Sequence, residues 1–402
     1  MMERILFCVV PEKGHLNPCI GPAQHLQAAG FEVAFYAPAD IRGQLHAAGA
    51  FTQIGPRAPQ ERHDLSRGAS FAANIRNTAW LRQWIQTLLV DEAHKLVDGI
   101  RQTLRQWRPA VVVIDPLLYA AAIAAELQGL PWAALSNSLN PVLPDTLDSE
   151  LLRTVRQLAP ARDQLFAHYG LHADFRGCDV LSPHLTMALT TEMLVGPAPE
   201  GVHLVGPALP MDLRGDEPAF PWERLDHHLP LVYMSLGSQL YYHPDVFAKV
   251  IRATHRLPLQ LVLSVGELAG TDLLSDATER VIAVSYAPQL ALLRRTRVFI
   301  THGGANSVME ALACGVPMLL SPLCNDQFHS AHFVEQAGAG RRLDLRRANE
   351  AQIARAIQSL IEPGLARDRA AQLAASYRQD GSGHAARLIS ELASGSHRET
   401  MS

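Results

Sequence analysis

YAPQLALLRRTRVFITHGGANSVMEALACGVPMLLSPLCNDQ, running from Tyr286 to Gln327, decides the fold class. Within it Val298 to Thr301 is short, continuously apolar and rich in β-branched residues, as a parallel strand covered on both faces must be. Thr301, His302, Gly303, Gly304, Ala305, Asn306 and Ser307 then make a turn, a helix opens at about Asn306, and Met318 to Leu320 returns as a strand. Strand, helix and strand in that order form a βαβ unit with its two strands parallel.

The same alternation extends in both directions. Upstream lie strands at Leu231 to Ser235, Leu259 to Ser264 and Val281 to Val284, with a helix from about Asp245. Nearer the start, Arg4 to Val10 reads as a buried strand followed by a loop. Pro18 suits the first turn of the next helix, Gly30 closes that helix, and Glu32 to Tyr36 is the next strand. Val111 to Ile114, a helix from Tyr119 to Leu127, and Trp132 to Leu135 repeat the pattern. The reading is an α/β protein with two doubly wound parallel sheets.

Between the halves, Gly196 to Pro230 carries Pro197, Pro199, Pro207, Pro210, Pro218, Pro221 and Pro230, the composition of an exposed connection. Residues 1–205 are therefore expected to form one domain, 206–230 a linker and 231–380 a second domain. Asn349 caps a late helix, Pro363 and Gly364 separate it from further Ala-rich helix to about Ala393, and Gly395 to Ser402 reads as a frayed polar end. Residues 381–402 are expected to be a C-terminal helix and tail that pack back on the first domain. Phe71 to Trp107 reads as one long helical stretch. Trp80, Trp84 and Leu88 recur in it every fourth residue, a spacing that suits first a core-facing helix and second the lining for a lipophilic ligand.

Bulk properties exclude several function classes. The chain has 402 residues, 48% hydrophobic and 18% charged, with a formal net charge of -4. That balance is ordinary for a globular protein and supplies no basic stripe for nucleic acid. The most apolar stretch, Ala110 to Leu127, is cut by Asp115 and Pro116, so no transmembrane segment is expected. The N-terminal apolar run stops at Pro11, too short for a signal-peptide core. Five cysteines with no Cys-x-x-Cys pair read as buried thiols of a cytoplasmic protein, and no metal-ligand cluster is visible.

Neither G-x-G-x-x-G nor G-x-x-x-x-G-K-[ST] is present, so no standard dinucleotide site or P-loop is supported. The His302-Gly303-Gly304 turn offers something else. Small residues let backbone approach an anion, and the helix start presents unpaired N–H groups at the positive end of its dipole. A diphosphate fits there, although a tight structural turn reads the same way when taken alone.

Taken whole, Tyr286 to Gln327 resembles the donor-binding signature of UDP-dependent glycosyltransferases of the GT-B fold, family 1, in the manner of bacterial carotenoid and macrolide glycosyltransferases. GHLNP at Gly14 to Pro18 and SLGS at Ser235 to Ser238 extend the likeness to both halves. The resemblance implies two Rossmann-like domains facing a cleft. It implies an inverting transfer of a hexose, with a lean to glucose, from a UDP-sugar to a hydroxyl of a small lipophilic acceptor such as a carotenoid, polyketide or phenolic. No cofactor is implied beyond the nucleotide sugar as co-substrate.

It also assigns residues. Tyr286 stacks on the base where the family usually has Trp, and Gln289 hydrogen-bonds the nucleoside. Ser238, His302, Gly304, Asn306 and Ser307 hold the diphosphate, and Glu310 accepts from the ribose hydroxyls. Asp326 and Gln327 bind the sugar. His15 stands where the family has its catalytic base, and Asp115 where it has the Asp that orients that base. Neutral imidazole suits a base near neutral pH, and a carboxylate partner fixes its tautomer. As one of 18 histidines, His15 alone reads more readily as structural; Asp115 before Pro116 alone suits turn chemistry. The lipophilic acceptor that the resemblance implies would be lined by Trp80, Trp84 and Leu88. Tyr at 286, and Arg295 where many relatives have His, leave the donor open between UDP and dTDP sugars. Two competing functions share the scaffold: a UDP-sugar 2-epimerase, and a glycosyltransferase-like activator of a partner enzyme.

Overall fold

The structure is a computed structural model that describes residues 2–49, 51–55, 68–75, 77–211, 214, 217–271 and 276–399. It divides into two units, one of Met1–Glu61, Asn77–Asp216 and Gln379–Ser402, the other of Arg62–Arg76 and Glu217–Arg378. The short segment around residues 68–75 thus belongs with the second unit, although the sequence reading assigned it to the first.

In the first unit β1 (Arg4–Cys8) leads into α1 (Lys13–Ala28), followed by β2 (Glu32–Tyr36), α2 (Arg42–Ala48) and β3 (Thr52–Ile54). Helix α3 (Gly68–Asn74) is counted with the second unit; there the Gly68 N–H donates to the Gln239 carbonyl at 3.2 Å. The first unit resumes with α4 (Thr78–Gln86), α5 (Ala93–Trp107), β4 (Val111–Ile114), α6 (Tyr119–Glu126), β5 (Trp132–Ser136) and α7 (Glu150–His168). A small antiparallel ribbon of β6 (Phe175–Arg176) and β7 (Asp179–Val180) precedes β8 (Leu185–Ala188), α8 (Glu192–Val195) and β9 (Val202–Leu204). The main sheet has the order β3-β2-β1-β4-β5-β8-β9, and all its pairings are parallel. Strand β4, the run VVVI, is buried at every position, as a strand covered on both faces requires.

The second unit carries β10 (Leu231–Ser235), α9 (Pro244–Thr254), β11 (Gln260–Ser264), β12 (Val281–Val284), α10 (Gln289–Leu293), β13 (Val298–Thr301), α11 (Ala305–Ala313), β14 (Met318–Leu320), α12 (Gln327–Gln336), β15 (Gly340–Arg342), α13 (Glu350–Ile361) and α14 (Leu365–Ser376). Its sheet is also parallel, in the order β12-β11-β10-β13-β14-β15. One face is sealed by α9 and α13, with Phe247, Val250, Ile353 and Ile357 fully buried against the strands. The chain ends in α15 (Gly381–Glu399), which packs on α1 inside the first unit.

Several local expectations are corrected. Phe71 to Trp107 is not one helix. Asn77 accepts from the N–H groups of Ala79 and Trp80 and starts α4 afresh, and Thr87–Asp91 forms a π-helical turn between α4 and α5. That wider turn offsets the helical register, so Leu88, at 37% exposure, falls off the line of Trp80 and Trp84. Helix α1 begins at Lys13, ahead of its expected start, so Pro18 and Pro22 lie within it. Strand β9 forms the sheet edge inside the Pro-rich stretch read as a connection, and α15 continues past Gly395. All five cysteines are free thiols, four of them buried and Cys314 only half-buried.

Candidate functional site

In an open parallel sheet, ligands gather beyond the carboxyl ends of the strands where the strand order reverses direction. The first sheet reverses between β1 and β4, and the second between β10 and β13. Four turns leave those strand ends, and they or the helix starts beyond them carry His15, Asp115, Ser238, His302, Gly304, Asn306 and Ser307; Tyr286 and Gln289 follow β12 instead, and Asp326 and Gln327 follow β14.

At the reversal in the first unit, His15 occupies the first turn of α1, just after β1, and Asp115 directly follows β4. The early helix start places His15 on helix and not in the loop expected for it. Its Nδ1 lies 2.6 Å from Asp115 Oδ2, with the His15 side chain 23% exposed and the Asp115 side chain 2%. The other Asp115 oxygen accepts from the Leu117 N–H at 3.0 Å, and the Asp115 N–H donates to the Cys8 carbonyl at 2.9 Å. The carboxylate is fixed from two sides while the imidazole keeps an outward edge. An acceptor-only carboxylate on Nδ1 calls for the tautomer with its proton there, which leaves Nε2 as the acceptor.

Trp80 and Trp84 stack at 6.3 Å between ring centroids, and Trp84 packs on the core of the unit while Leu88 points elsewhere. The pair is a half-buried aromatic strip, and Leu88 does not continue it.

At the reversal in the second unit, the turn after β10 carries Gly237 and exposed Ser238, and the turn after β13 carries His302, Gly303 and Gly304. A Cβ on Gly237 would lie 2.7 Å from His302 Nε2, and one on Gly304 would lie 2.6 Å from the same atom. Two bare backbones therefore clasp one ring. Burial pushes the His302 imidazole down to about 4, against a hydrogen bond to the Ser235 backbone that raises it, so the ring is neutral at pH 7. Gly304 is also the N-cap of α11, with no side-chain cap, and Val308 is the first N–H paired along the helix, to the Gly304 carbonyl at 3.0 Å. The N–H groups of Ala305, Asn306 and Ser307 therefore head a nine-residue helix at its positive end, an arrangement suited to an anion.

One helical turn further, a hydrogen-bonded set surrounds Glu310, which is 1% exposed. Gln289 Nε2 donates to Glu310 Oε2 at 2.7 Å and reaches Ser307 Oγ at 3.3 Å, and Asn306 Nδ2 donates to Glu310 Oε1 at 3.1 Å. Tyr233 OH, from a ring stacked on Phe299, donates to Gln289 Oε1 at 3.3 Å. Gln289, Asn306, Ser307 and Glu310 are thus brought together, but the Asn306 amide faces Glu310, leaving its backbone N–H as the group at the helix start. Tyr286 sits half-buried between β12 and α10.

Asp326 is half-buried at the N-cap of α12. Gln327 is 7% exposed, and its Oε1 accepts from the N–H groups of Leu323 at 2.8 Å and Cys324 at 3.2 Å. Its amide oxygen is committed to its own loop, which sequence spacing does not reveal. Tyr233 and Gly237 were missed by the sequence reading. A Gly two residues beyond an apolar strand and directly before Ser238 was the available signal for the second; a tyrosine inside a core strand carries none. Among the described residues, no group of three or more His, Cys, Asp or Glu side chains is placed to hold a metal ion, and no helix is long and apolar enough to cross a membrane.

Comparison with known proteins adds the following. The family described as UDP-glucoronosyl and UDP-glucosyl transferase matches residues 227–380, and the one described as Erythromycin biosynthesis protein CIII-like, N-terminal domain, matches residues 24–204. The chain is 25% identical over 405 residues to the uncharacterized UDP-glucosyltransferase YojK of Bacillus subtilis (strain 168), covering 94% of this chain and 95% of the relative. It is 26% identical over 393 residues to the oleandomycin glycosyltransferase of Streptomyces antibioticus, covering 92% and 85%. Among solved structures it is similar to glycosyltransferase VinC in complex with DTDP, with a TM-score of 0.71, 18% identity, and coverage of 96% of this chain and 100% of that one.

Proposed function

We infer, for a chain that belongs to the family 1 GT-B UDP-glycosyltransferases, that it moves a hexose from a nucleotide diphosphate sugar to a hydroxyl of a lipophilic natural product. The observation that carries this reading is the His15 to Asp115 pair, at 2.6 Å, in the turns that leave the two strands where the first sheet reverses.

In the proposed reaction His15 Nε2 takes the proton of the acceptor hydroxyl as its oxygen attacks the anomeric carbon. A new C–O bond forms on one face and the bond to the diphosphate oxygen breaks on the other, so the sugar carbon inverts. The electron pair of the broken bond leaves with the nucleoside diphosphate. Asp115 stabilises the imidazolium that results, as a buried carboxylate paired with Nδ1 does. The departing charge is met by the uncapped start of α11, by Ser238 and by neutral His302 acting as a hydrogen-bonding group rather than a cation. Glu310, with Gln289 beside it, is the acceptor set for the nucleoside end, Tyr286 is its stacking ring, and Asp326 faces the sugar hydroxyls.

The oleandomycin glycosyltransferase favours a macrolide or related polyketide acceptor, and the aromatic strip of Trp80 and Trp84 suits an apolar one. The neighbour described with DTDP supports trying a thymidine donor beside the uridine donor. The reading is tested by nucleotide release from UDP-glucose and dTDP-glucose against a panel of hydroxylated polyketides, carotenoids and phenolics. Acceptor-dependent release that disappears in His15→Ala is the expected result. Acceptor-independent conversion of the free sugar nucleotide to an epimer, or release unchanged in His15→Ala, overturns it.

A further inference from the structure

A proline four residues beyond Gly14 leaves a defect in the helix that carries His15. Within α1 the Gly14 carbonyl should receive the N–H of residue 18, but Pro18 has none. The vacancy is filled from outside the helix. Asn137, just beyond the carboxyl end of β5, donates its Nδ2 to the Gly14 carbonyl at 3.1 Å. That carbonyl belongs to the peptide immediately before His15.

The loop that holds Asn137 is itself anchored. Asp179, 1% exposed on β7, receives the hydroxyls of Ser136 and Ser138 and the amide of Asn140, the last at 2.7 Å. Ser136, Ser138 and Asn140 are all buried, so the residues flanking Asn137 converge on one interior carboxylate while Asn137 projects toward Gly14. A buried network that gathers three donors on one carboxylate favours one loop geometry over its alternatives.

We propose that Asn137 is a positioning residue for His15: it replaces the hydrogen bond that Pro18 cannot make and so sets the first turn of α1 against Asp115, with Asp179 holding the loop that aims it. The inference rests on the reading of His15 as the base, but its physical content, the pose of an imidazole against a carboxylate, is measurable without any acceptor.

The test uses the full chain labelled with 15N-histidine, in which the downfield Nδ1–H resonance of His15 is identified by its loss in His15→Ala. Asn137→Ala is expected to move or broaden that resonance and to lower kcat about 3- to 10-fold, the scale of one lost hydrogen bond, with KM for the nucleotide sugar unchanged. Asn137→Asp, of equal size but unable to donate, is expected to behave the same way. Pro18→Ala returns the missing backbone donor, so Pro18→Ala combined with Asn137→Ala is expected to recover both resonance and rate; a polar residue serving only stability would give no such rescue. An Asn137→Ala protein with the native resonance and kcat overturns the proposal, as does a double variant no better than the single one. If Asn137→Ala fails to fold, the double variant carries both readouts. Transfer lost in His15→Ala but unaffected by Asn137→Ala leaves the proposed function standing and removes this role; a shifted His15 resonance in a chain that transfers no sugar does the reverse.

Discussion

Adding one methyl group at Gly304 is expected to weaken nucleotide binding by displacing a ring, not by altering the backbone. Gly304 has φ -59° and ψ 137°, values open to any L-residue, so alanine introduces no conformational strain there. Its Cβ would nevertheless stand 2.6 Å from His302 Nε2, where ordinary van der Waals contact begins at 3.4 Å. The ring must retreat by roughly 0.8 Å, enough to carry a phosphate hydrogen bond of ordinary length out of range. A hydrogen bond to a charged group contributes about 1.5–3 kcal/mol, so UDP should bind roughly 10- to 150-fold more weakly by calorimetry. Gly237→Ala meets the same atom at 2.7 Å and also forces alanine to φ +83°. It should show the same loss of affinity and, in addition, a fall of about 1–2 kcal/mol in unfolding free energy. A double-mutant cycle isolates the mechanism: with His302→Ala already present there is nothing left to push, and Gly304→Ala should then cost almost nothing further. Equal losses with and without His302, or native UDP affinity in Gly304→Ala, would refute the clasp.

Other outcomes follow from the two halves. His15→Ala is expected to lower kcat by about 10²–10⁴-fold while UDP affinity by calorimetry stays native, and Asp115→Asn to reproduce most of that kinetic loss; weaker UDP binding in His15→Ala would break the division of labour. Glu310→Ala removes the acceptor set around Gln289 and Asn306 and should raise the Kd for UDP more than it lowers kcat at saturation, with unchanged affinity counting against the nucleoside role. His302 and His329 are both held down to about 4 by burial, from an ordinary value of 6.5. Because the unfolded chain takes up protons first as pH falls, their stabilising effect is complete above about 6.5 and is lost toward 4. Thermal unfolding midpoints across that window should fall, and less steeply in His329→Gln. EDTA should leave the transfer rate unchanged, and a strict requirement for added Mg²⁺ would contradict the charge-stabilising role given to α11 and His302.

Much of this was legible in the sequence, for a definite reason. Strands buried on both faces demand uninterrupted apolar runs, so Val111 to Ile114 and Val298 to Thr301 announce themselves, and the reactive turns must follow such strands. What stayed hidden depends on partners distant in the chain. The partner that serves Gly14, Asn137, lies 123 residues away, beyond any local pattern. The commitment of Gln327 to the loop at Leu323 and Cys324 is nearer, yet the residue type gives no clue to which way the amide turns. The break before α4 was readable in principle, since Asn77 followed by Thr78 is an ordinary helix start; the regular spacing of Trp80, Trp84 and Leu88 masked it. The π-helical turn has no comparable sequence sign.

The docking of α15 bears on biosynthesis. Gly381 rests so close to the Gly206-Pro207 backbone that a Cβ would sit 2.4 Å from the Pro207 carbonyl oxygen, and Ser382 Oγ is hydrogen-bonded to the Leu209 carbonyl. Helix α15 is synthesised after the whole of Glu217–Arg378, yet it completes the unit whose strands are made first. The unit bearing His15 must therefore wait, with the flank of α1 uncovered, until α15 has been made. Removing α15 would destabilise the unit that holds His15 and Asp115 and spare Glu217–Arg378.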